Sequence, residues 1–147
     1  MEAEPRSGKR ILLVEDDRVL REILRRLLVQ DSHTVVEATN GAEALTLFCK
    51  GAFDLVVTDF EMPALKGDEL AGRIKKIAPN LPILMITAFS HRPGMDNPVD
   101  AIVTKPCGSA RLRELIGQLL SRRSEDADSQ QLSVETGAPS ERETLLA

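Results

Sequence analysis

The sequence predicts an α/β fold, an open doubly wound parallel sheet of five strands with helices on both faces. Short runs of mostly apolar residues recur along the chain, and between them lie stretches with apolar residues at helical spacing. Strands that lack polar alternation are strands buried on both faces, the condition of a parallel sheet covered by helices. Five strands are also too few to close an eight-stranded barrel, so the sheet must stay open.

The first strand is Ile11 to Val14, which ends in the acidic run Glu15, Asp16, Asp17. Val19, Leu20, Ile23, Leu24, Leu27 and Leu28 then form one apolar helix face. "TVVEA", Thr34 to Ala38, is the second strand. Its helix starts at Asn40 as cap, has Glu43 placed as in a capping box, and stops at Gly51. Asp54 to Thr58 is the third strand, followed by a helix from Asp68 to Ile77 with Leu70, Ile74 and Ile77 on one side and Pro79 just beyond. Pro82 to Thr87 is the fourth strand and Ala101 to Thr104 the fifth. Between them "FSHRPGMDNPVD" holds Pro93, Gly94 and Pro98, and proline within a helix forfeits a hydrogen bond and clashes with the preceding turn. The fourth helix is therefore expected to be short, irregular or missing. The last helix starts near Ser109 and carries Leu112, Leu115, Ile116, Leu119 and Leu120.

At 147 residues and 42% hydrophobic, the chain has enough apolar material for one buried core. Residues 1–9 read as a flexible N-terminus and 10–121 as the folded domain. Residues 122–147, rich in Ser, Glu, Asp and Gln, read as a disordered tail, because so little apolar surface cannot offset the entropy of ordering. The net charge of −4 and the scattered basic residues leave no nucleic-acid footprint. Cys49 and Cys107 lie outside any Cys-x-x-Cys or Cys/His cluster and read as reduced thiols. The chain has neither a signal-peptide apolar region nor a run of membrane-spanning length, so it reads as a soluble cytoplasmic protein.

Parallel strands all point one way, so the residues at their carboxyl ends gather along one edge, where ligands bind. That edge receives Glu15, Asp16 and Asp17, then Asp59, Thr87 and Lys105. Clustered carboxylates repel unless a cation sits among them, and all-oxygen ligands suit a hard divalent ion, with Mg²⁺ the one expected. Lys105 and the Thr87 hydroxyl suit phosphate oxygens. One carboxylate can then act as the nucleophile of a phosphoryl transfer, with Asp59 as acceptor. Taken singly these signals are bland, since acids cap helices, threonines pack in strands and Lys-Pro makes turns. For Asp17, capping is favoured over ligation; for Glu15 and Asp16 the strand-end position favours ligation.

From about Arg10 to Leu120 the chain resembles the receiver domain of two-component response regulators. The resemblance rests on "ILLVEDD", "DLVVTDFEMP", "KGDEL", "ILMITA" and "VTKP", in that order. It implies a flavodoxin-like sheet of order 2-1-3-4-5 and phosphorylation of Asp59 by a phosphohistidine of a sensor histidine kinase or histidine phosphotransfer protein. It also implies Mg²⁺ held by Glu15, Asp16, Asp59 and the backbone carbonyl of Glu61. Thr87 would bind a phosphoryl oxygen, Lys105 would pair with the phosphoryl group, and the peptide before Pro106 would be cis. Ala88, Phe89, Ile102 and Pro106 occupy the family's switch or accessory positions.

Two features depart from the family. Ile102 stands where an aromatic switch residue is usual, and the interval from Thr87 to Lys105 is shorter than usual. Both fall on the face through which receivers commonly signal, so the form of the output switch stays open. Glu61 is read either as positioning a hydrolytic water or as facing solvent, and Cys107 as packing. His33 and His91 are not expected to take part in the chemistry. The function expected is a stand-alone receiver acting through protein contacts or within a phosphorelay, without a DNA-binding output domain. The alternatives are a phosphorylation-independent adaptor and an aspartate-nucleophile phosphatase of the haloacid-dehalogenase type. For the latter, Glu61 stands where a second aspartate is needed and Pro63 where Thr or Val is needed.

Overall fold

Ile11, Leu12, Leu13 and Val14 are all completely buried, which an extended segment achieves only when both of its faces are covered. The computed structural model describes residues 8–88 and 98–136, with side chains as far as residue 122. Its elements are β1 (Arg10–Val14), α1 (Arg18–Gln30), β2 (Thr34–Ala38), α2 (Gly41–Lys50), β3 (Leu55–Asp59), α3 (Gly67–Ile77), β4 (Ile83–Ala88), β5 (Ala101–Lys105) and α4 (Ser109–Thr136). The five strands are parallel in the order β2-β1-β3-β4-β5, the flavodoxin-like order expected. Residues 89–97, where an irregular fourth helix was expected and where Phe89 and His91 fall, lie outside the described residues.

The pleat sorts the core into two halves. Ile11, Leu13, Leu55, Val57, Leu84 and Ile86 face Leu24 and Leu28 of α1 and Leu112, Ile116 and Leu119 of α4. Leu12, Val14, Val56 and Ile83 face Ala44 and Phe48 of α2 and Leu70, Ala71 and Ile74 of α3. Each fully buried Leu or Ile contributes on the order of 2 kcal/mol, so the central strands are held firmly from both sides.

Several boundaries differ by a residue from expectation, and three of them bear on the site. β3, β4 and β5 each run one residue further, so Asp59 and Lys105 are the last residues of their strands rather than the first of the loops. On α1 the seam is narrower than the six-residue face predicted. Leu24 and Leu28 are buried with Leu20 and Leu27 beside them, whereas Val19 and Ile23 lie on the solvent side of that seam and are exposed. Ile77, at the end of α3, is exposed as well. The backbone of α4 remains helical to Thr136, into the segment expected to be a disordered tail. Its Arg, Glu, Gln and Ala residues are good helix formers, and a helix already nucleated by packing at Leu112 to Leu120 propagates at low cost.

At the amino edge of the sheet, Lys75 of α3 donates through Nζ to the Leu81 carbonyl at 2.7 Å and to Asp100 Oδ2 at 2.8 Å. The same Asp100 oxygen accepts from the Ile83 N–H at 2.8 Å, and the Asp100 N–H donates to the Ile83 carbonyl at 2.9 Å. The start of β5 is thus clamped to the start of β4. Among the described residues, no helix is long and apolar enough to cross a membrane.

Candidate phosphoacceptor and cation site

The three acids after β1 have three different fates. Glu15 continues the line of β1, donates its N–H to the Ala38 carbonyl of β2 at 3.1 Å, and is 1% exposed. Asp16 is exposed above it. Asp17 turns back on the helix as its N-cap, its Oδ1 accepting from the Val19 and Leu20 N–H groups at 2.9 and 3.3 Å, so it is committed to capping as the sequence favoured.

Asp59 ends β3 and is 5% exposed. Carboxylate oxygens of Glu15, Asp16 and Asp59 all lie within 4.8 Å of one another. Lys105 reaches in from the end of β5, its Nζ 3.3 Å from Asp59 Oδ1 and 3.9 Å from Glu15 Oε1. Thr87, 1% exposed at the end of β4, donates its hydroxyl to the Ala88 carbonyl at 3.3 Å. Asp59 and Lys105 are the last residues of β3 and β5 and Thr87 the last but one of β4 between them, so their placement follows directly from strand order and register.

The electrostatics of the pocket point to a cation. Burial, reinforced by the negative charge of Asp59, pushes the Glu15 carboxyl up to about 7, against the N–H of Asp17 and the charge of Lys105, which pull it down. Glu15 Oε2 accepts from the Asp17 N–H at 3.1 Å, while Oε1 is buried with no hydrogen-bond partner among the described residues. A buried carboxylate oxygen without a donor, facing two further carboxylates, has the donor chemistry of a hard divalent-ion site.

After Asp59 the chain turns tightly before α3. Pro63 and Leu65 close a tight turn, Leu65 N–H to Pro63 carbonyl at 2.8 Å, around Ala64, whose φ of 72° lies in the left-handed region. Gly67 opens α3 directly against the strand end. A Cβ there would collide with the Asp59 carbonyl oxygen and lie 3.0 Å from the Phe60 Cα. Glu61, whose backbone carbonyl was expected to serve the ion, has an exposed side chain, with Oε1 3.4 Å from Lys66 Nζ.

Of the accessory positions, Ala88 is the last residue of β4, beside Lys105 in register, and Ile102 is 46% exposed on β5. The Lys105-Pro106 peptide is cis. Cys107 packs against the α1/α4 half of the core, whereas Cys49 is exposed on α2. His33 lies in the turn between α1 and β2, accepting from the Lys9 N–H at 3.1 Å, at the opposite end of the sheet from Asp59.

Two contributors went unread in the sequence. One is Gly67, noted there only as part of "KGDEL". The other is Arg21 on α1, which donates from Nη1 to the backbone carbonyl of Glu15 at 2.8 Å and from Nε to Glu37 Oε1 at 3.2 Å. Arginine at the fourth position after a helix cap was the available signal, and scattered basic residues on a helix do not single it out.

Fold and site together define a class: a doubly wound sheet with an acidic, cation-ready pocket and a lysine at its carboxyl edge. Within that class the chain belongs to the response regulator receiver domain family, whose model matches residues 11–117. It is similar to the response regulator receiver protein CpdR of Brucella abortus, 38% identical over 76% of this chain and 93% of that protein. It is also similar to the response regulator MprA of a Mycobacterium species, 40% identical over 80% of this chain and 53% of MprA. FleR of Pseudomonas aeruginosa is 34% identical, and there the chain spans 24% of the relative. Among solved structures, TrrA of Thermotoga maritima in complex with Mg²⁺-BeF is 38% identical, with a TM-score of 0.72 over 76% of this chain and 98% of that one. A CheY-like receiver from Methanospirillum hungatei matches with a TM-score of 0.75 at 26% identity, over 82% of this chain and 99% of that one. The protein is thus a two-component receiver domain, and its cluster of Glu15, Asp16 and Asp59 fits the family's Mg²⁺ site.

Proposed function

We propose that this receiver is a Mg²⁺-dependent phosphoaspartyl switch in which Asp59 accepts a phosphoryl group from a phosphohistidine of a sensor histidine kinase or histidine phosphotransfer protein. The observation that carries the proposal is the placement of Asp59, buried at a rigid strand end with Lys105 at 3.3 Å and two further carboxylates within 4.8 Å. A carboxylate oxygen of Asp59 forms the new O–P bond as the donor's N–P bond breaks, and the imidazole leaves with the bonding electron pair. Lys105 holds Asp59 in place before transfer and offers its ammonium to the incoming phosphoryl oxygens. Thr87, at the end of the neighbouring strand, is positioned to turn its hydroxyl from the Ala88 carbonyl to a phosphoryl oxygen. Mg²⁺, held by Glu15, Asp16, Asp59 and the Glu61 backbone carbonyl, would neutralise the carboxylates and the phosphoryl charge.

Incubation with acetyl phosphate and Mg²⁺, followed by intact mass, is expected to add one phosphoryl group that Asp59→Asn abolishes. A modification that survives Asp59→Asn would overturn the assignment. The phosphatase reading is disfavoured by Glu61, which stands in place of the second acid that chemistry requires and has its exposed carboxylate beside Lys66. Turnover of a phosphomonoester would reinstate it.

A further inference from the structure

The geometry points to Arg21 as a positioning residue for the cation site, acting on the main chain of Glu15 rather than on the ion. Arg21 sits on the first turns of α1, its N–H bonded to the Asp17 carbonyl at 2.9 Å, so its backbone is set by the same cap that shapes the acidic loop. Its side chain is only 15% exposed although it carries a guanidinium. Nη1 donates to the Glu15 carbonyl at 2.8 Å, and Nε donates to Glu37 Oε1 at 3.2 Å. Glu37 belongs to β2, and the Glu15 N–H is bonded to the Ala38 carbonyl of that same strand. The main chain of Glu15 is therefore held on both sides of its Cα, at the N–H by the strand directly and at the carbonyl by a planar, two-armed donor that spans from the strand.

This matters because Glu15 aims a buried oxygen, with no hydrogen-bond partner among the described residues, at the acidic cluster, and an ordered ligand binds an ion better than a loose one. Groups that orient ligands from outside commonly contribute 10- to 100-fold, on the order of one to two powers of ten, to metal affinity. The sign is the informative part. Arg21 carries positive charge close to the pocket, so Coulomb's law alone predicts that removing it tightens binding of a cation. Positioning predicts the reverse.

The inference rests on the reading that Glu15, Asp16 and Asp59 bind Mg²⁺, and its test separates the two. Mg²⁺ is titrated calorimetrically into the wild-type chain, Arg21→Met and Arg21→Lys, with circular dichroism confirming the fold. Phosphorylation by acetyl phosphate is then followed over a range of Mg²⁺ concentrations. Arg21→Met is expected to weaken Mg²⁺ about 10-fold or more and to regain the wild-type phosphorylation rate at saturating Mg²⁺. Arg21→Lys keeps the charge and loses the two-armed span, so it should fall between. Unchanged or tighter binding in Arg21→Met would overturn the inference, as would a rate deficit that saturating Mg²⁺ fails to restore. Should Arg21→Met not fold, wild-type affinity in Arg21→Lys overturns it. If the wild-type chain itself takes up no Mg²⁺, the reading beneath the inference fails as well.

Discussion

Glu15→Gln should stabilise the metal-free protein at neutral and alkaline pH, although it removes a proposed ligand. In the folded chain the Glu15 carboxyl titrates at about 7, raised from 4.5, because burial and then Asp59 disfavour its charge. Between those values the folded state holds a proton that the unfolded state has released, so stability falls as pH rises through this window. Above pH 7 the charged carboxylate costs the difference, about 3 kcal/mol at 1.36 kcal/mol per unit. Gln mimics the protonated acid and avoids that cost. With EDTA present, urea or thermal unfolding at pH 8 should show Glu15→Gln more stable by about 3 kcal/mol, roughly 10 °C for a domain of this size. At pH 4.5 and below the two proteins should converge. Mg²⁺ should act in the opposite direction, stabilising the wild type by about 2.7 kcal/mol at a hundredfold excess over its dissociation constant and the variant far less. Equal stabilities at pH 8 in EDTA would refute the reasoning, because Glu15 would then be neither desolvated nor opposed by Asp59.

Gly67→Ala must move backbone, since the added methyl meets the Asp59 carbonyl; a loss of about 1–3 kcal/mol is expected, with slower acetyl-phosphate labelling, and labelling at the wild-type rate would count against the close approach. Asp17→Ala removes the cap of α1 and should cost about 1 kcal/mol in chemical denaturation while sparing Mg²⁺ affinity more than Asp16→Asn does. Ala64→Gly relieves a left-handed alanine and should stabilise by up to about 1 kcal/mol, measured by the same denaturation.

The alternation of strands and helices was legible because the central strands are apolar throughout, and topology then carried Asp59, Thr87 and Lys105 to one edge. What remained hidden depended on side-chain direction. In "EDD" the cap role of Asp17 was readable, but nothing in the residue types separates Glu15, which is buried, from Asp16, which is exposed. Val19 and Ile23 matched helical spacing but sit one row aside from Leu20, Leu24 and Leu28, a distinction of rotation that a generous apolar stripe obscures. Gly67 and Arg21 act on main-chain atoms of Asp59 and Glu15, and contacts to backbone leave no complementary residue type to search for.

The Lys75–Asp100 clamp bears on how this chain can vary. A parallel strand that slips by one residue presents the opposite face, and for β5 that would carry Lys105 away from Asp59. Because Asp100, the residue just before β5, is bonded to Ile83 through both its N–H and its carboxylate, the lysine's address is set from behind, independently of the length of chain between β4 and β5. Insertions and deletions in that connection should therefore leave the 3.3 Å approach of Lys105 to Asp59 unchanged.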